Sequence, residues 1–196
     1  MDSKDGVNHS FLDDYEARIR SHILPKEEEE STVTVQQDPS TFPADVQRIR
    51  ETLLETSKHL LHISETEESY NFIFIPIEEM KEKITELPDD CTQFKSLIKQ
   101  SNNNLMLKEE EASSPEENRT LEFQEFFDPL TNDYAEDPYG QKDGYKELQK
   151  IIEATFHGKE NVKIYKIGDF RKIGVYIVGL IKDVGIVGLK TYSVET

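Results

Sequence analysis

The sequence predicts an α/β fold: a three-layer α/β/α sandwich with a mainly antiparallel sheet, preceded by a disordered acidic N-terminal tail. Two long segments carry apolar residues at helical spacing, which is typical of helices that cover a sheet. Near the end of the chain, three apolar, β-branched segments are separated by short polar breaks that suit hairpins. Elements in this order favour layers of helix on both faces of one sheet.

Residues 1–40 are predicted to form the disordered acidic tail. They contain few large apolar side chains and the glutamate run Glu27–Glu30, so folding could not offset the entropy lost on ordering them. Residues 41–196 are long enough to build one domain with its own core. Within that domain, the polar stretch at about 78–120 breaks the pattern and is predicted to be a flexible insertion.

The first firm element is a helix from Pro43 to about Leu61, because a proline fits the first helical turn and apolar residues follow at helical spacing. The segment Tyr70–Ile77 is nearly all apolar, which predicts a strand buried on both faces. Inside the predicted insertion, the pattern indicates an acidic helix over Glu78–Leu87 and a second helix near Cys91–Lys99.

The second half of the domain returns to a regular pattern. Leu121–Phe127 is predicted as a short strand or a helix start, and a longer helix is expected from about Asp137 to Phe156, with a glycine cap just beyond it. Strands are predicted over Asn161–Ile167, Ile173–Ile181 and Val184–Tyr192. The short connections between these strands predict antiparallel pairing.

The charge of the chain limits its partners. The formal net charge is −17, and the field of such a protein repels nucleic acid and anionic membranes while it accelerates encounter with a basic protein. Direct nucleic-acid binding and a membrane location are therefore not expected. The longest apolar run is interrupted by Lys182 and Asp183, and the first residues are too polar for a secretory signal. We expect an intracellular, cytoplasmic protein that is monomeric when free.

Catalysis and cofactor binding find little support in the motifs. The sequence contains no glycine-rich phosphate loop, nucleophile elbow or paired cysteines, so neither an enzyme nor a cofactor is predicted. The single cysteine, Cys91, is interpreted as a structural thiol. A remote alternative is a metal-assisted enzyme, in which Glu55, His59 and His62 share one helix face and hold a divalent cation.

Two polar segments are candidates for binding a partner. Residues 64–69 place three carboxylates and three hydroxyls on a short connection ahead of the buried strand, where binding residues are often found. In residues 132–137 one aromatic residue, Tyr134, lies among acids just before a helix. Both compositions also fit ordinary solvated turns, and that alternative stays open.

Several motifs together resemble the nuclease A inhibitor family. They are Leu-Leu-His-Ile-Ser-Glu-Thr-Glu at 60–67, Asp-Tyr-Ala-Glu-Asp at 133–137, Val-Lys-Ile-Tyr-Lys-Ile-Gly at 162–168, Val-Tyr-Ile-Val-Gly at 175–179 and Lys-Thr-Tyr-Ser-Val-Glu-Thr at 190–196. The resemblance covers residues 44–77 and 121–196. Tyr134 stands where the family has a tryptophan.

The resemblance implies an inhibitor that occludes the active site of a sugar-non-specific, magnesium-dependent nuclease of the ββα-metal type. It further implies that the C-terminal Thr196 approaches the metal of the nuclease and that Glu65 engages the same site, with Glu67 and Tyr134 as further contacts. The inhibitor holds no metal of its own. The alternative is a non-inhibitory acidic adaptor that binds another basic protein through the same scaffold.

Overall fold

A computed structural model describes residues 38–80, 83–101, 116–169 and 172–194 of the chain. Residues 1–37 of the predicted tail, three internal stretches (81–82, 102–115 and 170–171), and the last two residues, Glu195 and Thr196, lie outside these ranges. The helices are α1 (Ala44–Ser57), α2 (Cys91–Gln100), α3 (Phe123–Thr131) and α4 (Lys142–Thr155). The strands are β1 (Leu61–Ile63), β2 (Glu67–Ser69), β3 (Asn71–Pro76), β4 (Glu116–Leu121), β5 (Val162–Asp169), β6 (Lys172–Ile181) and β7 (Gly185–Ser193).

The main sheet has five strands in the order β3-β7-β6-β5-β4, and all neighbouring pairs in it are antiparallel. The prediction of helices combined with a mainly antiparallel sheet is therefore confirmed. Strands β5, β6 and β7 pair in chain order, and a turn at residues 182–184 joins β6 to β7, as the polar break at Lys182 and Asp183 predicts. Strands β1 and β2 form a separate antiparallel hairpin.

Each face of the main sheet belongs to its own hydrophobic core. Along β6, Val175 and Ile177 lie in one core, whereas Tyr176 and Val178 lie in the other, as the two-residue period of a strand requires. The first core is completed by residues of three helices, among them Leu53 of α1, Phe127 of α3 and Leu148 of α4.

The second core is covered by α2. The ring of Phe94 stacks on Tyr165 with centroids 3.9 Å apart, and Phe94 and Ile98 are fully buried. Burial of one such aromatic side chain contributes about 2–3 kcal/mol. Asp90 caps the N-terminus of α2, because its carboxylate accepts a hydrogen bond from the backbone N–H of Thr92 at 2.8 Å.

The segment predicted as an insertion contributes to both the sheet and the second core. It contains α2 and the edge strand β4, and β4 pairs with β5 from Glu116 to Leu121. The division into an acidic tail and a domain with an inserted segment stays a prediction.

Three helix predictions were wrong at their boundaries or in kind. The long helix predicted from about Asp137 begins at Lys142. The first helix ends at Ser57, and the residues predicted as its last turn form the connection to β1 and the start of that strand. The predicted acidic helix over 78–87 is replaced by a 3-10 turn, Ile77–Glu79, and no α-helix occurs among the described residues of that segment. Its start is drawn to the sheet because the Ile77 N–H donates to the carbonyl oxygen of Val184 at 2.9 Å.

Candidate partner-binding site

The turn of the β1–β2 hairpin, Ser64–Thr66, is called the hairpin tip below. The N–H of Ser64 donates to the carbonyl oxygen of Thr66 at 3.0 Å, which closes the turn. The N–H of Thr66 donates to the hydroxyl of Ser64 at 3.4 Å, a local side-chain bond of the kind that serines often make in turns. The side chains of Glu65 and Thr66 are exposed at the end of this turn.

The hairpin tip is bonded to the end of β7. The N–H of Glu65 donates to the carbonyl oxygen of Val194 at 3.2 Å, and the N–H of Val194 donates to the hydroxyl of Ser64 at 3.0 Å. A third bond joins the Thr191 hydroxyl to the carbonyl oxygen of Glu68 at 3.3 Å. Val194 is the last residue of this segment that the structure describes, and it precedes Thr196 by two positions in the sequence.

The predicted acidic residues of the hairpin occupy different positions. Glu65 lies at the tip, next to the bonded end of β7. Glu67 is the first residue of β2, is exposed, and is paired across the hairpin with Ile63. Of these two glutamates, Glu65 is therefore the one bonded through its backbone to Val194.

An open cleft of about 430 Å³ lies between the hairpin tip and the end of β7. Its lining residues are His62, Ile63, Ser64, Glu65, Lys166, Ser193 and Val194. Lys166 and Ser193 are nearly fully buried, whereas Glu65 is exposed. The ring of His62 stacks on Phe126 with centroids 6.0 Å apart, so it is fixed against the first core. The cleft is thus lined by both a buried lysine and an exposed glutamate.

The second predicted segment forms a capped loop, Asn132–Gly140, called the aromatic loop below. Tyr134 is 98% exposed, and its N–H donates to the side-chain oxygen of Asn132 at 2.8 Å. The Asp137 carboxylate accepts hydrogen bonds from the N–H groups of Gln141 at 2.6 Å and Lys142 at 3.2 Å. These bonds hold the loop at the start of α4, where a carboxylate also favours the helix dipole.

The start of α4 also holds strand β1. The side-chain oxygen of Gln141 accepts a hydrogen bond from the N–H of Leu61 at 2.6 Å, and the Tyr145 hydroxyl donates to the carbonyl oxygen of Leu61 at 2.9 Å. The hydroxyls of Tyr145 and Tyr70 lie 3.0 Å apart. Burial raises the pKa of both tyrosines, so they remain protonated hydrogen-bonding groups at neutral pH.

The family model for nuclease A inhibitor-like proteins matches residues 84–196. The chain belongs to this family. The matched segment contains α2, the strands β4–β7, Tyr134 and Thr196, whereas the hairpin with Glu65 and Glu67 lies before it. No curated protein matches the chain. The family prediction is thus confirmed.

This inhibitor-like protein has a cluster of two lysines and two tyrosines that the sequence analysis did not single out. On the face of the sheet that belongs to the second core, the Lys190 ammonium lies 5.3 Å from the Tyr176 ring centroid and 4.7 Å from that of Tyr192. The Lys172 ammonium lies 4.5 Å from the same Tyr192 centroid. Burial, and secondarily the charge of Lys172, lowers the pKa of Lys190 to about 8.

The remote alternative of a metal site on one helix face does not fit the structure. Helix α1 ends at Ser57, so His59 lies in the following turn and His62 lies in β1, while Glu55 pairs with Lys58 on the helix. Within the described ranges, no three His, Cys, Asp or Glu residues are close enough together to hold a metal ion.

Cys91 is buried at the start of α2, and its thiol donates to the carbonyl oxygen of Lys166 at 3.4 Å. Burial, followed by the nearby Asp90 charge, raises the pKa of this thiol to about 11. The thiol therefore stays protonated at neutral pH, which fits a structural role.

In the part of the chain that the structure describes, no helix has the length and apolarity needed to span a bilayer.

Proposed function

We propose that this protein inhibits a sugar-non-specific, magnesium-dependent nuclease of the ββα-metal type by occluding its active site with the hairpin tip and Thr196. The observation that carries the proposal is the pair of hydrogen bonds between the hairpin tip and Val194. These bonds support the proposal that Glu65 and Thr196 act as one contact unit, because Val194 precedes Thr196 by two residues in the sequence. Membership of the inhibitor-like family supports the same function.

The chemistry of the proposed contact is that of substrate mimicry. A nuclease of this kind offers a basic groove and a hard magnesium ion that normally meet phosphate oxygens, and such an ion prefers carboxylate, hydroxyl and carbonyl oxygen ligands. Glu65 and Thr196 would supply oxygens of this type without a phosphodiester bond that the nuclease could cleave. The net charge of −17 would steer the inhibitor towards the groove.

The remaining contacts follow from the same proposal. Tyr134 would provide aromatic contact area beside the groove, and Glu67 would add a second negative charge on the hairpin. The main sheet would be the middle layer of an α/β/α sandwich that holds both loops. The protein would act inside the cell as a monomer, without catalysis, cofactor, membrane or nucleic acid of its own.

The proposal is tested by measuring cleavage of DNA and RNA by a panel of ββα-metal endonucleases with increasing amounts of this protein. Inhibition of at least one panel member at stoichiometric concentration is expected, and it should weaken with added salt because the charges of the two surfaces are screened. Deletion of Thr196, or a C-terminal tag that masks it, should weaken inhibition strongly without changing the thermal unfolding temperature. Unchanged potency after the deletion would contradict the proposed mechanism.

The second candidate is a non-inhibitory acidic adaptor that binds another basic protein. One observation favours keeping it: the family match begins at residue 84, so the hairpin with Glu65 lies outside the matched segment. The adaptor predicts binding of a basic, non-nuclease protein that is insensitive to loss of Thr196. A binding assay with the wild type and the Thr196 deletion separates the two functions.

A further inference from the structure

Among the described residues, the exposed large hydrophobic side chains are two tyrosines, and both lie in the aromatic loop. Tyr134 is 98% exposed and Tyr139 is 55% exposed. Tyrosine is enriched in the residues that dominate protein–protein binding energy, because it offers a large, rigid, partly polar surface. Their common location in one short loop points to a contact surface that includes more than the single aromatic residue suggested by the sequence.

The loop that carries these tyrosines has a defined backbone. The carbonyl oxygen of Asn132 accepts from Ala135 at 3.1 Å, and that of Asp137 accepts from Gly140 at 3.3 Å. Gly140 has φ +67°, a left-handed conformation that favours glycine and turns the chain into α4. The side chain of Tyr139 is therefore presented from a constrained turn, at low entropic cost for binding.

Gln141 is bonded to the aromatic loop through its backbone and to the hairpin through its side chain. Its N–H donates to Asp137 at 2.6 Å, and its side-chain oxygen accepts from the N–H of Leu61 at 2.6 Å. Leu61 begins β1, only three residues before the hairpin tip. One residue thus joins two segments that are far apart in the sequence and that both carry candidate contact residues.

We infer that the hairpin tip and the aromatic loop form one contact surface, that Tyr139 is a contact residue on it, and that Gln141 is its positioning residue. The partner that fits is a protein with a basic groove wide enough to cover both loops. Its arginine side chains could stack on the tyrosines while its cations meet the carboxylates. The choice of a nuclease as this partner rests on the proposed function, whereas the linkage through Gln141 does not.

The charges of the loop fit the same partner. Asp133 directly precedes Tyr134, Glu136 follows it by two residues, and both acids are exposed. The Lys146 ammonium lies 3.6 Å from the Asp133 carboxylate and offsets part of this negative charge. A cation of the partner would therefore meet a group of acids beside the two tyrosine rings, not one isolated carboxylate. A basic partner is favoured over an acidic one, because like charges would meet at this surface.

The linkage is tested by amide hydrogen exchange in the full chain without any partner. Gln141→Met removes the acceptor for the Leu61 N–H, Gln141→Glu retains an acceptor oxygen, and Gln149→Met is the matched control on the same helix. We expect faster exchange in Gln141→Met at Leu61, at the hairpin-tip amides, and at the Gln141 and Lys142 amides that bond to Asp137. Exchange in Gln141→Glu and Gln149→Met should remain near wild type.

Faster exchange at Leu61 alone, with the amides bonded to Asp137 unchanged, would overturn the linkage. A uniform increase over the whole sheet would also overturn it, since that would show a general loss of stability. Neither outcome depends on the identity of the partner.

The shared surface is tested by inhibition of the nuclease identified in the panel assay. Gln141→Met should weaken inhibition about three- to tenfold, and Gln141→Glu should restore it, since one ordinary hydrogen bond is at stake. Tyr139→Ser should weaken inhibition about tenfold, whereas Gln149→Met should leave it unchanged. An unchanged inhibition constant in Tyr139→Ser would overturn its assignment as a contact.

The two proposals fail in different ways. If the wild type inhibits no nuclease in the panel, the proposed function fails. The hydrogen-exchange result then decides the linkage. Chemical labelling of Tyr134 and Tyr139, in a complex with the basic, non-nuclease protein found in the binding assay, decides the surface. Protection of both tyrosines supports one surface, and protection of Tyr134 alone overturns it.

Discussion

The hairpin tip and the aromatic loop are held in different ways. Ser64 and Glu65 of the hairpin tip are bonded to Val194, which directly follows β7, a strand buried along almost its whole length. The aromatic loop is closed mainly by its own residues and by the start of α4, and its tyrosine Tyr134 stands almost fully in solvent. The tip is therefore suited to place oxygen atoms accurately, and the loop is suited to add contact area.

This difference matters because the two kinds of contact tolerate different errors. A carboxylate that meets a metal ion must lie within about 0.5 Å of its productive position. An aromatic side chain that covers a groove can adjust by rotating about its side-chain bonds, at a modest entropic cost. Substitutions should consequently have the largest effects at the tip and smaller effects in the loop.

The largest effect is expected at Glu65. In Glu65→Gln, loss of the charge that meets the metal and the basic groove should raise the inhibition constant about 100-fold or more. The matched control is Glu67→Gln, which removes a charge from the same hairpin and should change the constant about twofold. Steady-state inhibition assays at fixed salt concentration measure both, and equal effects at the two positions would contradict the special role of the tip.

A smaller effect is expected at Tyr134. Tyr134→Ala should weaken inhibition about tenfold through lost contact area, whereas Tyr134→Trp should bind as well as the wild type or better. Thermal unfolding should be unchanged in both, because the side chain packs against nothing that the substitution would expose. If Tyr134→Ala weakened inhibition more than Glu65→Gln, the assignment of precise positioning to the tip would be reversed.

The anchor of the tip can be weakened without touching its carboxylate. Ser64→Ala removes the hydroxyl that accepts from Val194, and it should weaken inhibition about fivefold and destabilise the protein by about 1 kcal/mol. Ser69→Ala, in the exposed part of the same hairpin, is the control and should be neutral. Inhibition and chemical denaturation are measured on the same samples. Full potency in Ser64→Ala would show that the bond to β7 does not position the tip.

The stability of the folded protein should also depend on pH, through a buried lysine in β7. This lysine does not belong to the contact surface. Lys190 of β7 has a pKa of about 8 in the folded protein against 10.5 as its ordinary value, so folding releases a proton. The unfolded chain binds more protons between these values, and stability should therefore rise by on the order of 1–2 kcal/mol from pH 7 to pH 9.5.

The pH effect is measured by chemical denaturation at each pH, in the wild type and in Lys190→Met. The neutral side chain cannot titrate, so the rise should be absent from the variant. Buried Tyr176, whose pKa is raised by burial, would oppose stability only at more alkaline pH. A rise of the same size in Lys190→Met would assign the effect to another group.

Much of the sheet could be predicted from the sequence. The strands β5, β6 and β7 are long, apolar and separated by short polar breaks, so local pattern and tertiary structure agree. The helices α1 and α4 were predicted from their apolar spacing, with the end of α1 placed too late and the start of α4 too early. The family was predicted from short motifs, and the match over residues 84–196 confirms it.

The hairpin could not be predicted, because its strands are too short to show a two-residue period. Leu60, Leu61 and Ile63 continue the apolar spacing of α1, and the pairing of Leu61 with Ser69 is what makes them strand. The helix prediction for the acidic segment 78–87 was wrong for a related reason. Ile77, just before this segment, is bonded to Val184, a residue far along the chain. Tertiary hydrogen bonds of this kind leave no local sequence pattern.

The candidate site shows the same division. Glu65 and Tyr134 could be selected from local composition, since acids and an aromatic residue stand in short polar connections. The bonds that join them to other elements, from Val194 to Ser64 and from Leu61 to Gln141, connect residues 130 and 80 positions apart. The buried Lys166 in the cleft was missed because a lysine in a strand gives no sign of its burial.

The most direct test of the proposed unit is a double-mutant cycle that combines Glu65→Gln with deletion of Thr196, measured as the inhibition constant for one sensitive nuclease. If the hairpin tip and the chain end act together on one metal site, the second change should add little to the first. The double variant should then inhibit almost as well as the less potent single variant, with a coupling energy on the order of 1–3 kcal/mol. Fully additive losses in the double variant, with both single variants folded, would show that the two residues act at independent places and would contradict the proposal.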